Sequence, residues 1–139
     1  MTADVFLDTN VLIYAVDGGD ASKDKRLRSR QIIRETTFGV SAQVVLEFYV
    51  VATRKMKKPL SVGIAAQWVD RLCKAEFVAI DAAIIKMAIE RSNRFQISYW
   101  DAAILAAAEA LGASTVFGED LSHGQSYGPV TVVNPFLPR

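Results

Sequence analysis

An apolar run, Val5-Phe6-Leu7, stops abruptly at a carboxylate, Asp8, and resumes as Val11-Leu12-Ile13 with helical character. A short apolar run ended by a polar cluster is the pattern of a buried strand feeding a helix. In an open α/β sheet the carboxyl end of such a strand is where ligands bind. Asp8 is therefore expected at the mouth of a site, and the rest of the chain is read for its partners.

Residues 4–8 form the first expected strand, and 38–40, 77–80, 115–117 and 130–133 are further strand candidates. Helical stretches separate the first four. The first covers 10–15, with Thr9 or Asn10 able to cap it. A basic helix opens at Ser22 or Asp24 and runs to about Thr36, with Leu27, Ile32 and Ile33 as its apolar edge. Ser41 is placed to cap a helix over 42–55, and Ser61 starts another whose Ile64, Ala65, Trp68, Val69 and Leu72 follow the spacing of one buried face. Asp81 caps a helix to about Arg94, striped by Ile84, Ile85, Ala88 and Ile89, and Ser98 opens one that ends near Leu111-Gly112. Gly118 to Gly128 reads as a loop. Strands separated by helices imply a parallel sheet covered on both faces. Right-handed crossovers then gather strand ends and helix starts on one edge. A length of 139 residues fits one domain, 1–139.

No apolar run reaches the roughly 18 residues needed to span a bilayer, so no membrane partner is expected. Met1-Thr2-Ala3-Asp4 lacks the basic and apolar regions of a signal peptide. Cys73 is the single cysteine, which leaves no internal disulfide and fits a cytoplasmic location. The formal net charge is +1, but ten of the 16 basic residues fall in two short stretches, one holding Lys23, Lys25, Arg26, Arg28, Arg30 and Arg34, the other Arg54, Lys55, Lys57 and Lys58. Such patches either collect polyanions or are solvated helix ends. Lys23, Lys25, Arg26, Arg30 and Arg34 are the candidate residues for binding such a polyanion.

Three other acids stand in costly or special places. Glu47 interrupts the apolar run Val44-Val45-Leu46-Glu47-Phe48, so it is expected either to be buried with a partner or to lie at a helix edge. Asp101 follows Ser98 at capping-box spacing, at the head of a helix of Ala, Ile and Leu. Asp120 lies just past the strand ending at Phe117, with Glu119 as its competitor. If these acids and Asp8 face one point, each pair at about 5 Å and an effective dielectric of about 20 costs about 3 kcal/mol. A divalent cation would offset that repulsion. All-oxygen ligation favours Mg²⁺ or Mn²⁺, and one His with one Cys makes no usual zinc site. His123 reads as a loop hydrogen-bonding residue. Tyr99 and Trp100 read as core residues, with base stacking as the alternative.

Leu7-Asp8-Thr9-Asn10-Val11-Leu12, Glu47 within Ser41-Ala42-Gln43-Val44-Val45-Leu46-Glu47-Phe48, Tyr99-Trp100-Asp101-Ala102 and Gly118-Glu119-Asp120-Leu121 together resemble the PIN-domain family, most of all the VapC-type toxins of bacterial toxin–antitoxin pairs. The resemblance spans nearly the whole chain. It implies a Rossmann-like α/β fold with a parallel sheet in order 3-2-1-4-5 flanked by helices on both faces. It also implies a Mg²⁺- or Mn²⁺-dependent endoribonuclease that hydrolyses RNA in line to 5′-phosphate and 3′-hydroxyl ends. Asp8, Glu47, Asp101 and Asp120 fall on the family's four acidic positions as catalytic and metal-binding residues, with Thr9 in support. Many relatives carry Thr, Ser or Asn before the fourth acid, where this chain has Glu119; Asp120 is preferred because Leu121-x-His123-Gly124 follows. The resemblance further implies a homodimer and a cognate antitoxin bound over a helical groove. Two rivals use a similar sheet: a non-catalytic interaction module, and a phosphate-receiver domain, for which a second acid beside Asp8 and a Lys after a late strand are missing.

Overall fold

The computed structural model describes residues 2–138. Its strands are β1 (Val5–Leu7), β2 (Phe38–Ser41), β3 (Glu76–Val78), β4 (Thr115–Phe117), β5 (Ser126–Tyr127) and β6 (Val130–Val133). Its helices are α1 (Thr9–Val16), α2 (Lys23–Glu35), α3 (Ala42–Arg54), α4 (Val62–Cys73), α5 (Ala82–Phe95) and α6 (Tyr99–Ala110), with one 3-10 turn at Asp20–Ser22. The sheet runs β3-β2-β1-β4-β6-β5. The pairings of β1 with β2 and β4, of β2 with β3 and of β4 with β6 are all parallel. The fifth expected strand is β6, so the expected order is kept.

The addition is β5, which pairs antiparallel with β6 at the sheet edge. It falls inside the segment expected to be loop. Two residues are too few to show an alternating pattern, and the hairpin is set by Gly128 at φ +63° and by Tyr127, buried edge-on against Phe95 with 5.4 Å between ring centres.

All three residues of β1 are buried, and successive strand residues face opposite sides, so both faces of the sheet are covered there. Phe6, Leu7, Val40, Val116 and Val132 from the central strands meet Leu12, Val44, Phe48 and Leu105 from the helices in one apolar core. The helix caps are local chemistry. Ser41, Ser61, Asp81 and Ser98 each accept a backbone N–H three residues on, as their sequence contexts imply. Two caps differ: α1 is capped by Asp8 rather than by Thr9 or Asn10, and Ser22 precedes α2 without a side-chain cap bond.

The apolar stripes are narrower than their spacing implied. Ala65 and Leu72 of α4 and Ile84 and Ala88 of α5 are buried, whereas Ile64, Ile85 and Ile89 are exposed, as is Leu27 of α2. Spacing shows which residues share a helix face, but not how far the neighbouring elements extend to cover it.

Gly39 sits where β2 passes beneath Leu111. A Cβ there would come within 2.8 Å of Leu111 Cδ1 and 3.1 Å of Ala3 Cβ. Gly39→Ala should therefore destabilise the fold by about 1–3 kcal/mol through overpacking. Urea unfolding checks this: a lowered midpoint at unchanged slope is the expected result, and an unchanged midpoint would show that the contact relaxes freely.

Candidate functional site

The strand order reverses at β1, with β2 and β3 on one side and β4 and β6 on the other. Ligands in open α/β sheets bind at such a switch point, beyond the carboxyl ends of the strands. Leu7 is in register with Phe117, so Asp8 and Gly118 leave the sheet side by side. The Asp8 N–H donates to the Phe117 carbonyl at 3.0 Å. A Cβ at residue 118 would lie 3.4 Å from both Cβ and Oδ2 of Asp8, so glycine there keeps the space beside the carboxylate clear.

Asp8 is 9% exposed. Its Oδ1 accepts the Thr9 N–H at 2.7 Å, and Oδ2 makes no hydrogen bond among the described residues. Desolvation pushes its pKa from 3.8 up to about 6; the Thr9 N–H opposes this, and the negative charges of Glu47, Asp120 and Asp101 add to it. The charges of the other three candidate acids thus reach Asp8, although these acids come from the loop after β4, the middle of α3 and the first turn of α6.

Each of the other three is held differently. Glu47 is exposed at the edge of α3, whose buried face is Val44, Val45, Phe48 and Ala52. This is the helix-edge placement and not burial. The Thr9 hydroxyl donates to Glu47 Oε2 at 3.3 Å. Asp101 is half-buried; its N–H donates to Ser98 Oγ at 3.1 Å, while its carboxylate makes no bond back to Ser98 among the described residues. Asp120 is exposed and its Oδ2 accepts from Asn10 Nδ2 at 2.9 Å.

The structure separates Glu119 from Asp120. Glu119 turns away from Asp8 and accepts from the Tyr14 hydroxyl at 2.7 Å and from Lys25 Nζ at 2.5 Å. Burial pulls the Glu119 carboxyl up, but the bonds from Lys25 and Tyr14 outweigh it and leave the pKa below its ordinary value. Asn10, Tyr14 and Gly118 were not singled out as site residues in the sequence. The signal for the first two was their four-residue spacing on one helix face.

Four of the basic side chains on α2 bond within the protein. Besides Lys25, Arg26 donates to the carbonyls of Asp17 and Gly19, Arg30 to that of Ala15, and Arg28 to that of Pro135. Arg26 at Asp17 and Arg30 at Ala15 satisfy carbonyls around the end of α1 that have no helical partner. Lys23 and Arg34 are exposed and make no side-chain hydrogen bond among the described residues. They stand eleven residues apart, about 16 Å along the helix, and it is Lys25, two residues from Lys23, that reaches the neighbour of Asp120. His123 Nδ1 accepts the Asn134 N–H at 3.0 Å, a loop role as expected. Tyr99 and Trp100 are not in the core: Trp100 is 74% exposed beside Asp101. The first turn of α6 faces outward, and its packing begins at Ala102.

Among the described residues, no three His, Cys, Asp or Glu side chains are drawn together into a ready-made cation cage. The donor set still fits a hard divalent ion. Mg²⁺ keeps most of its water and takes only one or two carboxylates from a protein, and the free Oδ2 of a desolvated Asp8 beside a glycine offers that. No helix among the described residues is long and apolar enough to cross a membrane.

The family profile described as PIN domain matches residues 5–123. A comparison with curated proteins finds no match. Among solved structures, a toxin–antitoxin complex from Klebsiella pneumoniae matches with a TM-score of 0.70 at 18% identity, over 95% of this chain and 98% of that one. Mycobacterium tuberculosis VapC20, a sarcin-ricin loop cleaving toxin, matches with a TM-score of 0.64 at 19% identity, over 84% of this chain and 89% of that one. VapBC2 from Rickettsia felis, bound to a DNA fragment from its promoter, matches with a TM-score of 0.61 at 16% identity, over 92% and 96%. At these identities the likeness is one of fold.

The raised pKa of Asp8 has a consequence for stability. A carboxyl that holds its proton more tightly when folded than when unfolded costs nothing below the unfolded pKa of 3.8, and its penalty grows to full size as pH passes about 6. Two pKa units correspond to about 3 kcal/mol. Without divalent cations, Asp8→Asn, which keeps a capping oxygen, should therefore stabilise the protein by up to about 3 kcal/mol at pH 7.5 and by little at pH 4. Urea unfolding of both proteins at the two pH values measures it, and an equal difference at both would contradict the assignment.

Proposed function

The chain belongs to the PIN domain family, and we propose that it is a Mg²⁺- or Mn²⁺-dependent endoribonuclease, the toxin of a toxin–antitoxin pair. The observation that carries this reading is the state of Asp8: a nearly buried carboxylate on which three further carboxylates, from three other segments, press their charge. Such a group is uncomfortable in a folded protein unless a cation compensates it. The fold likeness to VapC20 and to two toxin–antitoxin assemblies supports the same biology.

Asp8 and Asp101 are the direct ligands in this reading. Glu47 and Asp120 hold a second ion or orient the attacking water. When bound, the cation supplies positive charge for the scissile phosphate and lowers the pKa of a water. The protein's share is orientation. The Thr9 N–H fixes one oxygen of Asp8 and leaves the other free, the Thr9 hydroxyl steadies Glu47, and Asn10 steadies Asp120. Water attacks phosphorus in line with the departing 3′ oxygen, which takes up a proton. The products carry a 5′-phosphate and a 3′-hydroxyl.

RNA is gathered by the exposed cations of α2 that are not bonded within the fold, Lys23 and, further along, Arg34; Lys25, Arg26 and Arg30 contribute less because their side chains are engaged within the fold. Exposed apolar side chains on α3, α4 and β3 (Leu46, Ile64, Phe77) and on α5 and α6 (Ile85, Ile89, Trp100) provide surface for an antitoxin and for a second copy in a homodimer.

Asp8→Asn and Asp101→Asn should each lower Mg²⁺-dependent RNA cleavage by about 100-fold or more, about 3 kcal/mol at the transition state, with an unchanged circular dichroism spectrum. Equal cleavage by wild type and variants at matched Mg²⁺ would refute the roles given to these acids. A wild type that binds no divalent ion and leaves RNA intact would instead be an interaction module on the same fold. Charge reversal at Lys23 and Arg34 should weaken RNA binding and flatten its dependence on salt; an unchanged salt slope would remove α2 from the RNA path.

A further inference from the structure

We propose that Tyr14 and Lys25 clamp Glu119 in order to aim the next residue, Asp120, at the site, so that Glu119 is a positioning residue and not an acid of the site. The proposal rests on the nuclease reading for what Asp120 is aimed at; the clamp itself rests on geometry.

Asn10 and Tyr14 stand four residues apart on α1 and share a face. Asn10 Nδ2 reaches Asp120 at 2.9 Å, and the Tyr14 hydroxyl reaches Glu119 at 2.7 Å. Two consecutive acids of the loop are thus pinned to one helix, a turn apart, and that helix begins at Asp8. Lys25 closes the clamp from α2. Its Nζ lies 2.5 Å from Glu119 Oε2 and 3.2 Å from the Tyr14 oxygen. It also sits 4.7 Å from the centre of the Tyr14 ring and 5.5 Å from that of Phe136. Those two rings meet edge to face at 5.1 Å. The ammonium is held by two rings, a hydroxyl and a carboxylate, which fixes where Glu119 must go.

The backbone of the loop does not do this unaided. Gly118 N–H bonds to the Val133 carbonyl, and the next rung is Gly124 N–H to Val132. Between them, Glu119 and Asp120 make no backbone–backbone hydrogen bond among the described residues. That part of the loop is held by their side-chain ties and by Leu121, which is buried in the core just after them. The Lys25 and Glu119 side chains are 41% and 25% exposed. A partly exposed ion pair adds little to folding stability, so the clamp acts on where the loop sits more than on whether the protein folds.

Tyr14→Phe keeps the ring that packs on Phe136 and removes only the hydroxyl, while Glu119→Gln removes the charge. In ¹⁵N-labelled protein, both should move the Asn10 side-chain amide signal toward its position in Asp120→Asn. Both should weaken Mn²⁺ binding, read by calorimetry, by about tenfold, the usual effect of losing a partner that orients a metal ligand. Neither should weaken it further when combined with Asp120→Asn. The melting temperature should barely change. A tie that is merely structural would lower the melting temperature and leave the Asn10 signal and Mn²⁺ affinity alone; that result, in a protein whose wild type binds Mn²⁺, overturns the clamp and spares the nuclease reading. A wild type that binds no Mn²⁺ overturns the nuclease reading and, with it, the purpose given to the clamp.

Discussion

A carboxylate that has lost most of its water at the end of the central strand is the constraint around which this fold is arranged. Phe6 and Leu7 are fully buried, and their packing fixes the residue that follows them. Asp8 gives up solvation that no cation among the described residues replaces. What the fold offers instead is partial: the Thr9 N–H and the positive end of α1. Asp8 has its pKa pushed well up because it is nearly dry. Glu47 and Asp120 keep contact with water. The electrostatic cost is therefore concentrated on one group, and the apolar core beneath it has to carry that cost.

Helix α1 spreads the consequences. Its cap is Asp8, its first residue holds Glu47, its second holds Asp120, and its sixth holds Glu119. Its far end is anchored by Arg26 and Arg30. A helix of eight residues is too short to be stable alone. It depends on burial of Val11, Leu12 and Ala15 and on these side-chain ties. The basic character of α2 is partly explained by this duty: cations that look on paper like a polyanion surface are bonded to carbonyls that a short helix leaves open.

Much of the architecture was legible because it follows from local rules. Each central strand is a short apolar run, the caps at Ser41, Ser61, Asp81 and Ser98 sit at standard spacing, and alternation of strand and helix dictates a parallel sheet. The strand order came through the family resemblance. What was not legible depended on coverage. Ile85 and Ile89 have the spacing of a buried stripe and yet lie exposed, and Trp100 lies outside because α6 begins to pack only at Ala102. Strand β5 is too short to show a period. The position of Glu47 at a helix edge, and the choice between Glu119 and Asp120, turn on which neighbour each carboxylate meets across the fold. Tyr14 and Lys25 are 105 and 94 residues from Glu119 in sequence, and no local pattern couples them.

The openness of the acid cluster bears on its chemistry. A tight cage of three or four carboxylates would satisfy a cation fully and leave no room for a substrate phosphate. Here one desolvated oxygen is backed by a glycine, while the other acids stand off at the rim, two of them steadied by the first turn of α1. A small hard ion that keeps several waters suits such a rim better than a larger ion that demands six to eight protein and water oxygens. The same openness explains why the loop after β4 needs a clamp. In the proposed nuclease, an acid that does not grip an ion tightly is not held by it in return, so its direction has to be set by the protein, through Asn10 on its own side chain and through the neighbouring Glu119.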